Sequence, residues 1–311
     1  MGSPLDSSQF VKLLDTRLRE VAEAKYRDLA GMIPTLFRVI NSDSAWEEFY
    51  SVGAVPDIPQ FLGALTYLGV APGYHVKIEP NEYAAGIQLE RKLLDDKKYA
   101  VLDNRAAGLG EAAKRTQEKS AVRAFANATS SSFDFMYNEE GQALASDTHL
   151  TKSGTSTASG FDNLGSTTCS KAALAATWIL MRKFRNDISE RIDMSDNFAI
   201  ICPDDLGDTV EEAVGTRMGY SAYSTAGGHS NINADYGRYK IIRYLRWSDT
   251  STSNWCMVNL DLMKNDLVWL SRIAPEFKTT VDFETYLVKH AVYMRYAYGW
   301  LDWRWMYFHN A

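Results

Sequence analysis

The sequence contains few cysteines, and they form no recognisable motif. Cys169, Cys202 and Cys256 are the only three in 311 residues, and they lie far apart in the chain. No C-x-x-C spacing occurs, which argues against a zinc site or a redox motif. An odd number of separated cysteines is typical of a reducing compartment, so we expect free, buried thiols.

A positive charge balance is also missing. Lysine and arginine together number 33, aspartate and glutamate number 39, and the formal net charge is −6. A dedicated nucleic-acid-binding protein normally carries a basic patch, which this composition does not favour. Nonspecific proximity to DNA remains compatible with it, because affinity for phosphates is set largely by Lys and Arg.

No uninterrupted apolar run suggests a membrane anchor, and MGSPLDSSQF lacks the basic start and apolar core of a signal peptide. The closing stretch AVYMRYAYGWLDWRWMYFHNA holds eight of the 38 aromatic residues. Arg295, Asp302 and Arg304 interrupt it, whereas a spanning helix needs about 20 mostly apolar residues. We therefore expect a soluble, cytoplasmic chain with no membrane contact.

The closing stretch predicts strands instead, because aromatic and β-branched residues favour pleated, half-buried surfaces. Gly299 is expected to mark a bend or bulge between two short strands, AVYMRYAY and WLDWRWMYF. Two interpretations remain open. Both strands lie in the core, or part of this surface packs against another subunit, since Tyr, Trp, Met and Arg are enriched at interfaces.

Motifs for catalysis and cofactor binding are absent from the sequence. The P-loop, dinucleotide-binding, nucleophile-elbow and H-E-x-x-H patterns do not occur. His149 in SDTHL has Ser and Asp neighbours, but catalytic triads are assembled across a fold and not from adjacent residues. The remaining histidines, His75, His229, His290 and His309, are scattered. We predict no catalytic, cofactor-binding or metal-binding residue, and no cofactor.

Acidic pairs give weaker hints of a site. Asp204, Asp205 and Asp208 in CPDDLGD resemble a hard-oxygen cluster for a divalent cation, but their spacing does not match a calcium loop. Asp after Pro is more typical of a turn or a helix cap. We expect solvated surface acids at Glu47–Glu48 and Glu139–Glu140. We also expect a flexible loop at STAGGHSN (224–231).

Two long helices are predicted in the first half of the chain. Residues 8–30 place apolar side chains at helical spacing, and this helix fits a projecting arm as readily as a core element. Residues 104–127 predict a helix of roughly 35 Å with a narrow apolar stripe. Asp103 or Asn104 is the expected N-cap.

Between these helices, residues 44–95 are expected to be extended. Pro56, Pro59, Pro72 and Pro80 argue against a regular central sheet. A long, two-stranded excursion with little core of its own fits this composition. Such a ribbon is marginally stable alone and requires a neighbour.

From residue 167 onward, helices and strands alternate, which predicts an α+β domain of roughly 150 residues. TCSKAALAATWILMRKFRN is an apolar helix with a core face that includes Leu174, Ile179, Leu180 and Phe184. NFAIICPDDL predicts a buried strand, and GDTVEEAVGTRM a short helix. YGRYKIIRYLRW and NWCMVNLDLM are expected to pair as a hairpin through SDTSTS, and TTVDFETYLVKHAVYMRYAYG supplies a further hairpin.

A chain of this size without a catalytic cluster, a cofactor motif or a basic stripe indicates a structural protein. The phrases FVKLLDTRLREVAEAKY, ALASDTHLT, ALAATWILMRKFRND, FAIICPDDL and HAVYMRYAYGWLDWRWMYFHN occur in this order. Together they resemble the major capsid proteins of tailed bacteriophages, which have the Hong Kong 97-type fold, and in particular the branch with the Mu-type major head subunit. The last phrase is the most specific, because such chains often end on R-Y-A-Y-G-like and D-W-R-W-like residues.

The resemblance implies an α+β, Hong Kong 97-like capsid fold and a division of the chain. The expected parts are an N-terminal arm (1–45), an extended loop over an adjacent subunit (46–98), a peripheral domain with a long spine helix (99–144), an axial domain (145–275) and C-terminal strands returning to the body (276–311).

It also implies a function. The chain is expected to self-assemble into pentamers and hexamers of an icosahedral shell that encloses double-stranded DNA, in the virion, after assembly in the host bacterial cytoplasm. No enzyme activity is expected. Expected partners are other copies of the chain, portal and scaffold proteins, a decoration protein and, nonspecifically, packaged DNA. Scaffolding is expected from another protein, because the sequence begins at the arm helix.

Three residues carry finer expectations. Arg17 and Lys25 are expected on the inner surface of the shell. Lys77 lies in the expected extended loop, where some family members form a Lys–Asn crosslink, but no Asn partner is indicated and we do not expect a crosslink.

The alternatives are an encapsulin-type protein nanocompartment, a soluble hydrolase whose triad comes from distant loops, and another virion component such as a minor head or decoration protein.

Overall fold

The computed structural model describes residues 7–90, 92–93, 96–153, 160–215, 218–219, 231–233, 235–282, 284–285 and 287–311. Its helices are α1 Ser7–Asp28, α2 Ile33–Leu36, α3 Tyr99–Ala126, α4 Lys171–Met181, α5 Gly207–Val210, which continues as a π-helical turn at Glu211–Gly215, and α6 Leu260–Asp266. Short 3-10 turns lie at Asp204–Leu206 and Leu245–Trp247.

The strands fall into several sheets. They are β1 Arg38–Asn41, β2 Glu47–Val52, β3 Pro72–Ile78, β4 Asn81–Glu90, β5 Met136–Asn138, β6 Leu164–Gly165, β7 Phe198–Cys202, β8 Met218–Gly219, β9 Asn231–Ile232, β10 Tyr239–Arg243, β11 Trp255–Asn259, β12 Leu267–Val281, β13 Leu287–Trp300 and β14 Met306–His309. Their orders are β1-β12-β13-β4, β10-β7-β11-β14-β6, β2-β3-β5 and β8-β9.

Both predicted long helices are confirmed, and they pack on each other. Leu18 and Ala22 of α1 are fully buried. A Cβ added to Gly110 of α3 would lie 2.2 Å from the Ala22 carbonyl oxygen, so only glycine allows this close approach. The helix α1 therefore lies against its own chain, and its assignment to an N-terminal arm stays a prediction.

The start of α3 differs from the prediction. The helix begins at Tyr99, five residues earlier than expected, and its N-cap Lys98 makes no side-chain cap hydrogen bond. Asp103 is therefore not a cap. Its carboxylate instead accepts two hydrogen bonds from Arg17, at 3.0 and 2.7 Å, and this bidentate pair fastens α1 to α3.

The predicted hairpin near the C-terminus is confirmed and forms the centre of one sheet. Strands β12 and β13 pair antiparallel over nearly their whole length, with register shifts near Ser271 and Ile273. Strand β1 pairs parallel with β12 on one side, and β4 pairs antiparallel with β13 on the other. Residues 81–90 of the predicted excursion thus belong to this sheet.

The other predicted hairpin is wrong. Strands β10 and β11 both exist, but β7 lies between them, parallel to β10 and antiparallel to β11. All five residues of β7 are buried, as are all five of β11. A strand that is apolar on both faces is most stable in the interior of a sheet, and β7 therefore takes the position that a hairpin would leave at the edge.

The predicted core face of α4 is partly wrong. Leu174 is buried, together with Ala173, Thr177 and Met181, which follow at helical spacing. Ile179 and Leu180 fall on the opposite side and are 49% and 37% exposed. Phe184 is buried, but it lies beyond the end of the helix.

The aromatic C-terminal stretch lies in the core of the chain itself, which decides between the two interpretations left open by the sequence. Trp300, Trp303 and Trp305 are at most 4% exposed. Gly299 is not a bend, because β13 continues through it to Trp300. A Cβ there would lie 2.6 Å from Ile78 Cδ1 and 3.1 Å from Met136 Sδ, so the glycine allows a close approach of β3 and β5.

Among the helices of the described residues, none combines the length and apolar character needed to span a bilayer.

Candidate assembly surfaces

One part of the chain projects without a core of its own. Strands β2 and β3 pair antiparallel, and β3 also pairs with β5. The connecting residues 53–71 leave β2 where the Gly53 N–H donates to the Ala71 carbonyl oxygen at 2.9 Å. We call residues 47–78 the apolar ribbon.

The apolar ribbon exposes large hydrophobic side chains. The most exposed are Tyr67 (92%), Ile58 (91%), Leu62 (86%), Val52 (78%), Leu65 (76%), Tyr50 (72%) and Phe61 (67%). Only one residue of segment 53–71, Asp57, is charged. Contiguous exposed apolar surface of this kind marks an interaction site.

A network of ion pairs holds the base of the ribbon. Glu139 Oε2 accepts hydrogen bonds from the His75 backbone N–H at 3.0 Å and lies 2.9 Å from His75 Nδ1. Lys152 Nζ donates to Glu139 Oε1 at 2.6 Å. The hydrogen bonds from Lys152 and then His75 lower the pKa of Glu139 to about 2. Glu139 therefore has a structural role, and its interpretation as a solvated acid is wrong.

Glu140 is also not solvated. Its side chain is 6% exposed, and Oε1 accepts a hydrogen bond from the Leu150 backbone N–H at 3.0 Å and lies 2.9 Å from His149 Nδ1. The pair is missed by sequence reasoning because an exposed and a buried Glu-Glu dipeptide look alike.

His149 is fixed on both ring nitrogens. Nε2 lies 3.1 Å from Asn163 Oδ1, and the ring stacks on Trp303 at 4.1 Å. The Asn163 amide nitrogen donates to the carbonyls of Leu144 and Met306, so its oxygen must face His149 as an acceptor. Both ring nitrogens of His149 therefore face oxygen atoms within the chain, Glu140 Oε1 and Asn163 Oδ1. Neither nitrogen is left to activate a hydroxyl group.

The acidic cluster at residues 204–208 surrounds a cation of the chain itself. Arg243 Nη2 lies 2.9 Å from Asp208 Oδ1 and 2.8 Å from Glu211 Oε1, and Nη1 lies 4.0 Å from Asp204 Oδ1. A Cβ on Gly207 would lie 2.5 Å from Arg243 Cζ, so the guanidinium packs directly across the glycine. In the parts of the chain that the structure describes, no group of three or more His, Cys, Asp or Glu side chains has a metal-holding arrangement.

The three cysteines are free, as expected. Cys202 and Cys256 are buried in the neighbouring strands β7 and β11, and Cys169 is partly buried. Burial raises the pKa of Cys202 to about 12 and that of Cys169 to about 11. These thiols are therefore protonated and unreactive at neutral pH.

The remaining histidines have structural contacts or lie outside the described residues. His309 Nδ1 accepts from the Thr167 N–H at 3.2 Å, and Nε2 lies 2.8 Å from Thr177 Oγ1. Burial lowers the pKa of His309 to about 4. His290 is buried beside Thr279. His229 and the expected loop 224–231 fall outside the described residues, apart from the backbone of Asn231.

Of Arg17, Lys25 and Lys77, the residues with finer expectations, Arg17 and Lys77 make contacts within the chain. Arg17 is engaged with Asp103, and its guanidinium lies 5.0 Å from the Tyr99 ring centre. Lys25 is exposed on α1. Lys77 Nζ lies 4.6 Å from the Trp46 ring centre and 3.5 Å from Glu79 Oε2.

Comparison with known proteins identifies the fold. The structure is similar to the mature capsid of bacteriophage PhiM1 (TM-score 0.56, 10% identity, covering 90% of this chain and 87% of that one). It is also similar to the procapsid of bacteriophage JBD30 (0.51, 12%, 100% and 76%) and to a virus-like particle from Pyrococcus furiosus (0.51, 9%, 95% and 99%). At these identities the likeness shows the fold, which is that of Hong Kong 97-type capsids.

Sequence comparison identifies the family. No curated protein matches the chain. A family model described as phage capsid protein matches residues 75–308, well over half of the chain. The chain belongs to this phage capsid protein family, and it is a major capsid protein that forms the shell of a phage particle.

Proposed function

We propose that copies of this chain form pentamers and hexamers of an icosahedral shell around double-stranded DNA, and that each apolar ribbon lies on a neighbouring copy. The observation that carries this proposal is the exposure of Ile58, Leu62 and Tyr67, each at least 86%, beside an otherwise packed core. Fully burying one such side chain is worth about 1.5–3 kcal/mol. Several together offset much of the association cost of about 4–15 kcal/mol.

The arrangement in rings follows from this contact. A ribbon that leaves one copy and lies on the next is a heterologous interface, which closes when the rotation between copies divides a full turn. Each copy then gives one ribbon and receives another, so every subunit is held at least twice. Weak individual contacts add up to a stable shell in this way.

The finer assignments remain proposals. They are the Mu-type branch, the divisions at residues 1–45, 46–98, 99–144, 145–275 and 276–311, assembly in the host bacterial cytoplasm, and contact with portal, scaffold and decoration proteins. The net charge of −6 supports nonspecific contact with packaged DNA and not tight binding. A structural, non-enzymatic role is supported by His149, whose ring nitrogens are both engaged.

The experiment replaces Phe61, Leu65 and Tyr67 together by serine. We expect subunits of about 35 kDa by light scattering and no shells by negative-stain microscopy, because the ribbon loses its apolar surface. The matched control carries Phe61→Leu, Leu65→Met and Tyr67→Phe, which keep that surface, and it should assemble. Shells formed by the serine variant at the wild-type concentration would contradict ribbon docking. Protein instead of DNA in shells from infected cells would favour the nanocompartment alternative.

A further inference from the structure

The Asp187 carboxylate, from a distant part of the chain, accepts a hydrogen bond from the base of the apolar ribbon. The Ala54 backbone N–H donates to Asp187 Oδ1 at 2.8 Å, although these residues are 133 positions apart. A Cβ added to Gly53 would lie 2.3 Å from Asp187 Oδ2. The carboxylate therefore covers the backbone of residues 53–54, at the point where the chain leaves β2.

The loop that carries Asp187 is tightly built. Asn186 Oδ1 accepts hydrogen bonds from the N–H groups of Ile188 and Glu190, at 3.2 and 2.9 Å. The Asn186 N–H donates to the Glu190 carbonyl at 2.8 Å, and Ser189 has a positive φ of 66°. A side chain on such a loop is held in one direction, because the loop has few alternative conformations.

This loop is in turn fixed to the aromatic core. Arg304 Nε donates to the Arg185 carbonyl at 2.8 Å, and Arg304 Nη1 donates to Asp302 Oδ2 at 2.7 Å. The same guanidinium lies 4.8 Å from the ring centre of Trp303, which is buried. The loop that carries Asp187 is thus connected through Arg304 to the buried aromatic C-terminal stretch.

The ribbon has space to move if this contact is lost. A cavity of about 260 Å³ lies beside Asp187, between Ser51 and Tyr74 of the ribbon and Trp300 of β13. β5 and the Glu139 network contact β3, while Ser42 and the core contact the earlier part of β2 through Glu47 and Phe49. In the described residues, Asp187 is the contact that holds the backbone at residues 53–54, where the chain leaves β2.

We propose that Asp187 is a positioning residue that sets the angle at which the apolar ribbon leaves the body of the subunit. Through this angle it sets how readily the subunit assembles, an effect that rests on the proposed docking of the ribbon on a neighbour. A ribbon held in one direction loses less conformational entropy on docking than a free one, so the contact acts by preorganisation.

The test compares Asp187→Ala with Asp187→Asn in the full chain. In unassembled subunits of Asp187→Ala we expect hydrogen exchange at residues 53–58 to accelerate about tenfold, because the Ala54 N–H loses its acceptor. Asp187→Asn keeps an oxygen acceptor and should retain most of the protection. Gly53→Ala should also accelerate this exchange, because its Cβ would lie 2.3 Å from Asp187 Oδ2 and 2.6 Å from the Ala71 carbonyl oxygen and would disturb both contacts. Asp193→Ala, which removes an exposed carboxylate a few residues further along the chain, is the matched control.

The second measurement is the subunit concentration at which shells appear by light scattering. We expect a rise of about three- to tenfold for Asp187→Ala and Gly53→Ala, and no change for Asp193→Ala. Wild-type exchange at residues 53–58 in Asp187→Ala would overturn the proposal, and so would faster exchange with unchanged assembly. Ribbon docking itself is tested by the serine variant above, so the two ideas fail separately.

Discussion

Two apolar regions of this subunit differ in whether their large side chains are buried or exposed. The C-terminal strands β13 and β14 bury almost every aromatic side chain in the chain's own core, whereas the apolar ribbon exposes most of its large side chains. Both regions are extended and rich in large apolar side chains. These are Tyr, Phe and Leu in the ribbon, and Tyr, Phe and Trp in the C-terminal strands. Apolar content alone therefore does not tell a core element from an interface.

The difference arises from how each region pairs. Strand β13 has a partner strand on each side, and Gly299 lets β3 and β5 pack against it. Segment 53–71 contains Pro56 and Pro59, which remove backbone donors, and forms no strand of its own. Apart from its first residues, which contact Asp187, it pairs with no strand in the described part of the chain, and under the proposed docking its apolar surface contacts another copy.

The strongest test of this comparison is one large-to-small substitution in each region. Trp305 is fully buried, and its Nε1 donates to the Asp302 carbonyl at 2.8 Å. We expect Trp305→Ala to lower the free energy of unfolding of the unassembled subunit by about 3–5 kcal/mol, measured by chemical denaturation. Tyr67→Ala, at 92% exposure, should change it by less than about 0.5 kcal/mol.

The subunit concentration needed for assembly should separate Tyr67→Ala from Trp305→Ala in a different way from the free energy of unfolding. Tyr67→Ala should raise the subunit concentration needed for shells while the subunit stays folded, because the lost contact lies between copies. An equal loss of subunit stability in both variants would show that the ribbon packs on its own body, and the contrast between the regions would fail.

How much of this was predictable depends on whether the signal is local. The long helices, the buried strand Phe198–Cys202 and the aromatic core strands follow from periodicity and composition. The order β10-β7-β11 cannot be predicted in this way, because it depends on which of several apolar strands occupies the centre of the sheet. The contacts of His75 with Glu139 and of Ala54 with Asp187 join distant residues, and no spacing in the sequence indicates them.

A smaller expected effect is a pH dependence of the free energy of unfolding that arises in the C-terminal region. Asp266 lies at the end of α6 beside the C-terminal turn, and burial, with a further contribution from the Asp302 charge, raises its pKa to about 7. The unfolded chain releases this proton near pH 4, whereas the folded subunit keeps it up to about pH 7. The free energy of unfolding should fall as pH rises through this window, by on the order of 2–4 kcal/mol.

Replacing Asp266 by Asn removes the ionisation and should flatten this dependence in denaturation curves recorded between pH 4 and 8. Asp193→Asn, at an exposed position, is the control and should keep the wild-type slope. A slope that is unchanged in Asp266→Asn would assign the pH dependence to other carboxyl groups.

The smallest effect lies at the base of the ribbon and has the opposite sign. The pKa of Glu139 is lowered to about 2 by Lys152 and His75, so its ion pairs are complete above its ordinary value of about 4.5 and are lost as pH falls towards 2. Because Glu139 also accepts from the His75 N–H, exchange of this amide should accelerate several-fold across that window, beyond the intrinsic change with pH. Glu139→Gln should exchange faster at pH 5 and lose the transition. The core amides of β13 should not follow it, because acid loosens the ribbon while the aromatic strands remain closed.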